Sequence, residues 1–248
     1  MRMRPFLILQ LRPETDAADN EFDAFLDKGG FEAADVVRIR LDQDPLPADL
    51  SLTDYSGIIV GGGPGCVSDP NKDKDPVEKR IEDEIMGLMP AVCESDTPFL
   101  GCCYGMGILG HHLTPGSVSK EQYGEPVGGV DCTLTKEGRT DPLLKGIPQS
   151  FRALVGHKEA VQVLPKGSVH LVASGPAPFQ MLKHKNNIYA TQFHPEADAQ
   201  GFETRIHIYK HRGYFPPERA DSLIREIHQE DIRFPALILQ NFRKIYAS

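Results

Sequence analysis

Residues 97–107, Thr-Pro-Phe-Leu-Gly-Cys-Cys-Tyr-Gly-Met-Gly, constrain most tightly what this chain can become. Phe99 and Leu100 form a short apolar run that reads as the end of a buried strand, and Gly101 and Gly105 bracket Cys103 with one residue on each side. That spacing makes a sharp strand-to-helix turn, in which the central residue is strained and its flanks have no room for a Cβ. The Cys103 thiol is thereby held above the end of a sheet, at a helix N-terminus whose unpaired N–H groups favour negative charge. The ordinary fate of a free cysteine is to be a small buried hydrophobe. Strand alternation assigns that fate to the neighbouring Cys102, which points into the protein.

The surrounding pattern supplies the sheet. Phe6 to Leu9 is a continuous apolar run, as expected of a strand covered on both faces. Phe22, Phe25 and Leu26 then recur at helical spacing before Gly29-Gly30 stops the helix, and Asp35 to Leu41 alternates as a second strand would. Gly57 to Val60 is the next buried strand and runs into Gly61-Gly62-Gly63-Pro64-Gly65, where free backbone N–H groups can approach an anion; a flexible turn is the plainer alternative. Asp75-Pro76 caps a helix carrying Val77, Ile81, Ile85 and Leu88 in one stripe, with Pro90 expected to close it. After a helix over 104–113 the texture changes to short strands: 129–135, 151–155, 170–174, 179–183 and 188–193. The order predicts an α/β fold, an open and mostly parallel sheet flanked by helices with antiparallel additions in its second half. Beyond Glu196 three helical stripes follow, the last through Ile238, Phe242 and Ile245, giving a domain over 1–200 and a helical extension over 201–248 packed on it.

Composition narrows the chemistry. In 248 residues with 40% hydrophobic content there is material for a real core, and no run approaches a membrane span. Five cysteines without a C-x-x-C pair fit a reducing compartment, so a cytoplasmic protein is expected. A net charge of -8 speaks against a nucleic-acid surface. The adjacent His111 and His112, and His207 with His211 four residues on, lack a third ligand, so no metal or other cofactor is expected.

A base is available. The strand 188–193 delivers His194-Pro195-Glu196 at its carboxyl end, where open α/β sheets gather their ligands. His194 can act there, with Glu196 turning back to its second ring nitrogen. His157, in Val155-Gly156-His157-Lys158-Glu159, is the rival base.

Together Phe99-Leu100-Gly101-Cys102-Cys103-Tyr104-Gly105, Gln192-Phe193-His194-Pro195-Glu196 and the Gly-Gly-Pro after a strand resemble class I glutamine amidotransferases, of the kind fused to GMP synthetase, over about residues 5–200. The resemblance implies the flavodoxin-like fold of that family and a catalytic triad of Cys103, His194 and Glu196. It also implies an oxyanion hole from the N–H groups of Gly63 and Tyr104, and substrate contacts at Gly62, Gly107, Gln122, Tyr123 and Gly124. Glutamine would be hydrolysed through a cysteinyl thioester and ammonia passed to a synthetase in another chain, since no Ser-Gly-Gly-x-Asp-Ser loop is present. Two alternatives remain: a γ-glutamyl peptidase or hydrolase with the same triad, and an inactive regulatory binding module. The family's glutamine on the first helical turn is Gly107 here, which is expected to leave vacated space beside the substrate, and its Ser-His is Gly156-His157.

Overall fold

The computed structural model describes residues 4–247. The first half winds a parallel sheet. Strands β1 (Phe6–Gln10), β2 (Val36–Arg40), β3 (Gly57–Val60) and β4 (Phe99–Cys102) are linked by helices α1 (Thr15–Gly29) and α2 (Pro76–Ser95), and β4 runs into α3 (Tyr104–Leu113). Strands β5 (Val118–Ser119) and β8 (Ala160–Val161) pair separately as a small two-stranded sheet that sequence periodicity did not reveal. Strands β6 (Glu125–Leu134), β7 (Ser150–His157), β9 (Ser168–Ser174), β10 (Met181–His184) and β11 (Ile188–Thr191) complete the main sheet. Its order is β2-β1-β3-β4-β11-β10-β9-β6-β7; pairs from β2 to β11 are parallel and those from β11 to β7 antiparallel. Helices α4 (Ala199–Tyr209), α5 (Ala220–Ile227) and α6 (Ala236–Tyr246) follow.

Strand alternation divides the core. Phe6, Ile8, Ile59, Leu100 and Cys102 face α1 and α6, where Phe25, Ile238, Leu239 and Phe242 cover them. Leu7, Leu9, Ile58, Val60 and Phe99 face α2 and α3, against Ile81, Ile85, Met89, Met106 and Leu109. Both faces of the parallel strands are therefore dry, which is why they read as unbroken apolar runs. Cys102 is fully buried as expected.

Two expectations need correction. Pro90 does not close α2, which continues to Ser95 with Pro90 inside it. Met89 and Val92 carry the buried stripe past the proline, and their burial outweighs the hydrogen bond that proline removes. In α6 the buried set is Ile238, Leu239 and Phe242, while Ile245 is largely exposed on the last turn.

The parallel register brings the functional positions level. Leu9, Val60, Gly101 and Ala190 lie in one row across β1, β3, β4 and β11. Arg12, Gly63, Cys103 and His194 follow that row by two to four residues, so four separate segments converge at the carboxyl edge of the sheet. No helix among the described residues is long and apolar enough to cross a membrane.

Candidate active site

The turn after β4 holds Cys103 at φ 52° and ψ -97°, a conformation that non-glycine residues adopt only under constraint. The constraint is visible. Cys103 N–H donates to the Thr191 carbonyl at 2.7 Å, and its own carbonyl accepts from Met106 and Gly107 to start α3. A Cβ at Gly101 would come within 2.8 Å of the Gly105 backbone, so the flanking glycine is required by close approach.

His194 and Glu196 follow β11 on a short turn. His194 Nδ1 lies 2.9 Å from Glu196 Oε1 and 3.2 Å from Arg205 Nη1; the nearer carboxylate, which can only accept, favours the proton on Nδ1 and leaves Nε2 as the basic nitrogen. Arg205, on α4, donates through Nη2 to the same Glu196 oxygen at 2.9 Å. Glu196 is completely buried; burial alone would raise its pKa, but His194 and Arg205 outweigh that and hold the carboxyl well below its usual range. Burial lowers the pKa of His194 against the pull of Glu196, which favours the neutral imidazole. Burial pushes the Cys103 thiol up to about 12, with the nearby Arg12 and Arg205 opposing the shift.

A cavity lined by Arg12, Gly63, Cys103 and His194 places the nucleophile candidate and the base candidate on one surface. A second cavity also reaches Cys103 and is lined by Gly63, Tyr104, Gly107, His157, Glu159 and Gln192. Tyr214, on the segment after α4, contributes to both walls, and Lys158 Nζ sits 4.6 Å from the centre of its ring. Gly63 lines both cavities, and the N–H of Tyr104, first in α3, has no earlier turn to donate to. Gly62 is adjacent, but its N–H is already given to Glu21 Oε1 at 3.1 Å.

His157 is held as part of the wall. Its Nδ1 faces the Glu159 carbonyl and its Nε2 faces Glu125 Oε2, both at 2.8 Å, so neither nitrogen is free to take a proton from Cys103. The space at Gly107 is not vacant. A Cβ there would lie 2.9 Å from Glu159 Oε1, and Glu159 is anchored by the N–H groups of Val67 and Ser68 and by the Ser68 hydroxyl. Burial raises the pKa of Glu159, and those hydrogen bonds oppose the shift. Gln122, Tyr123 and Gly124 lie on the loop between β5 and β6, and none of them lines either cavity. Gln122 and Gly124 are exposed, and Gly124 packs against the Lys158 carbonyl.

Sequence reasoning missed Arg12, Glu21, Arg205 and Tyr214, and named Glu159 and Gln192 within motifs without giving either a place in the site. Arg12 is anchored by Glu21 Oε1 at 2.8 Å and by the Tyr209 hydroxyl at 3.1 Å. One local signal was available for Arg205: it lies seven residues beyond the Asp198 that caps α4, on the buried helix face with Phe202 and Tyr209.

Comparison with known proteins places the chain among relatives and folds. The chain is 33% identical over 142 residues to the glutamine-hydrolysing GMP synthases of Streptococcus pyogenes serotypes M5 and M49; the match covers 56% of this chain and 24% of those proteins. The chain thus spans about a quarter of the length of the curated relatives it matches. Its fold is similar to SMU.1228c (TM-score 0.76, 20% identity, 97% of this chain and 99% of that one). It is also similar to a glutamine amidotransferase from Thermotoga maritima (TM-score 0.72, 16% identity, both chains covered completely). A glutamine amido transferase from Methylobacillus flagellatus aligns with TM-score 0.70 at 18% identity over 98% of this chain and 95% of that one. The family model for class-I glutamine amidotransferase matches residues 24–209, three quarters of the sequence, and the chain belongs to that family.

Proposed function

We propose that the protein hydrolyses the side-chain amide of glutamine through a thioester on Cys103 and supplies the ammonia to an acceptor enzyme in another chain, with residues 1–200 as the amidotransferase domain and 201–248 as its helical extension. The relatives named as GMP synthases support a synthetase as that acceptor. The observation that carries the reading is the strained Cys103, tied to the strand that delivers His194 with its hydrogen bond to Glu196, and facing it across one cavity.

Chemically, burial disfavours both the thiolate of Cys103 and the imidazolium of His194 before substrate binds. His194 Nε2 takes the thiol proton as Sγ attacks the amide carbon, and Glu196 stabilises the imidazolium that forms. The developing oxyanion lies against the N–H groups of Gly63 and Tyr104. The C–N bond then breaks as His194 returns the proton to the departing nitrogen, and water activated by the same imidazole releases glutamate from the thioester. Arg205 keeps Glu196 ionised and oriented. Glu159 Oε1, which accepts one hydrogen bond from the protein, offers its remaining acceptor capacity to the α-ammonium of the glutamyl group.

The test is direct. Purified protein incubated with glutamine should release ammonia and glutamate in equal amounts, and diazo-oxo-norleucine should label Cys103. Cys103→Ala should abolish both outcomes, while Cys102→Ala should retain labelling. A label on Cys66, Cys93, Cys102 or Cys132 would remove the elbow from the mechanism.

A further inference from the structure

A run of glycines is a poor way to hold a hydrogen-bond donor still, because each leaves both of its backbone torsions nearly unrestricted. Gly61, Gly62 and Gly63 nevertheless follow β3 to the wall shared by both cavities at Cys103. Contacts from outside the run fix them. The Gly61 N–H bonds back to β1 through the Leu9 carbonyl at 3.0 Å. The Gly62 N–H turns away from the sheet and donates to Glu21 Oε1 at 3.1 Å. The Gly63 N–H, one peptide further, makes no hydrogen bond among the described residues.

Glu21 is built in for this contact. It is completely buried on α1, and the same oxygen that takes the Gly62 N–H also takes Arg12 Nε at 2.8 Å, while Oε2 takes Gln10 Nε2 at 3.2 Å. A Cβ at Gly61 would lie 2.4 Å from Glu21 Oε2, and one at Gly62 would lie 2.7 Å from Arg12 Nη2 and 2.7 Å from His194 Cε1. Gly61 therefore lies against the carboxylate, and Gly62 lies between the guanidinium and the ring of the base. A buried ion pair adds little to stability once desolvation is counted, so its place at this loop points to a purpose beyond holding α1 to the sheet. Its composition fits that purpose. A charged acceptor holds a peptide N–H more firmly than a neutral one, but a lone carboxylate so near a developing oxyanion would repel it; Arg12 offsets that charge.

We infer that Glu21 is a positioning residue for the amide hydrolysis: by fixing the Gly62 peptide it aims the Gly63 N–H at the oxyanion, with Arg12 as its neutralising partner. This rests on the reading of Gly63 as an oxyanion donor and deepens it by naming what holds the donor. Glu21 touches neither the substrate nor the reacting atoms, and its effect reaches them only through the loop.

The experiment measures kcat and KM for ammonia release from glutamine, together with the rate at which iodoacetamide alkylates Cys103, followed by mass spectrometry. Alkylation is a displacement at a saturated carbon and develops no oxyanion. Removing an oxyanion donor outright costs about 10²–10³ in kcat; in Glu21→Ala the donor stays but is no longer held, so kcat should fall about tenfold or more while KM stays within about threefold. Glu21→Gln, whose amide oxygen can still accept from Gly62, should recover part of that loss. The alkylation rate should stay near the wild-type value in both variants. Gly61→Ala disturbs the same contact from the loop side and should likewise lower kcat, which keeps the test decisive if Glu21→Ala does not fold. Parallel falls in kcat and in alkylation, or wild-type kcat in these variants, overturn the role of Glu21 and leave the glutaminase reading standing. Absence of ammonia release by the wild-type protein, together with absence of Cys103 labelling by diazo-oxo-norleucine, overturns both.

Discussion

A side chain at position 107 would meet a carboxylate before it met a substrate. Glycine inside a helix costs about 1 kcal/mol relative to alanine, and the approach of Glu159 supplies the reason for accepting that cost. Gly107→Gln is therefore expected to weaken the site: the new side chain displaces Glu159 from Val67 and Ser68, lowering stability by about 1–3 kcal/mol and raising the KM for glutamine. Combining it with Glu159→Ala should recover part of the thermal stability that the single change loses. A lower KM for the single variant, measured by ammonia release, would mean that the space is free after all. The elbow was legible because glycine, cysteine and glycine declare a backbone conformation within five residues. Glu159 was not, because the volume it fills belongs to a helix more than fifty positions earlier, and nothing in Lys158-Glu159-Ala160 marks the glutamate as buried. Arg12 was hidden for a similar reason, since its anchors Glu21 and Tyr209 come from α1 and α4.

Among the elements, α2 shows where local rules lose. Its start follows the sequence, with Asp75 accepting from Val77 N–H ahead of Pro76, but its end is decided by the apolar face that Met89 and Val92 bury. Gly87 lies on the exposed side of the same helix with open space where a Cβ would go. Gly87→Ala should raise unfolding stability by about 1 kcal/mol in a urea titration, without altering turnover. A loss of stability would place a constraint at Gly87 that the open space does not account for. The pairing of β5 with β8 was illegible for the opposite reason. Two residues cannot display alternation, and Val118 and Val161 meet because α3 packs against both strands.

Across the molecule the parallel half was readable because each strand is buried on both faces by helices adjacent in sequence, whereas the antiparallel order β10-β9-β6-β7 depends on long-range pairing that no single segment announces. Burial also sets how the protein responds to alkali. Desolvation raises the thiol pKa at Cys66, Cys93, Cys102, Cys103 and Cys132, reaching about 12 at Cys66 and Cys103. With folded values above the unfolded value near 9, the native state holds these protons longer. The resulting stability is fully present below about pH 9 and is lost as pH rises toward 12. The urea midpoint should fall between pH 8 and pH 10.5, on the order of 1–2 kcal/mol for each of the well-buried thiols. An unchanged midpoint would mean that the thiols ionise as readily folded as unfolded. The bond from Cys103 N–H to the Thr191 carbonyl makes the nucleophile's turn and the base's strand one mechanical part. Loops between Leu113 and Ile188 can then lengthen, shorten or be exchanged while that separation stays fixed, so long as Leu154 and Gln180 keep accepting from the N–H groups of His194 and Gln192, so a lineage can remodel its specificity without having to rediscover its chemistry.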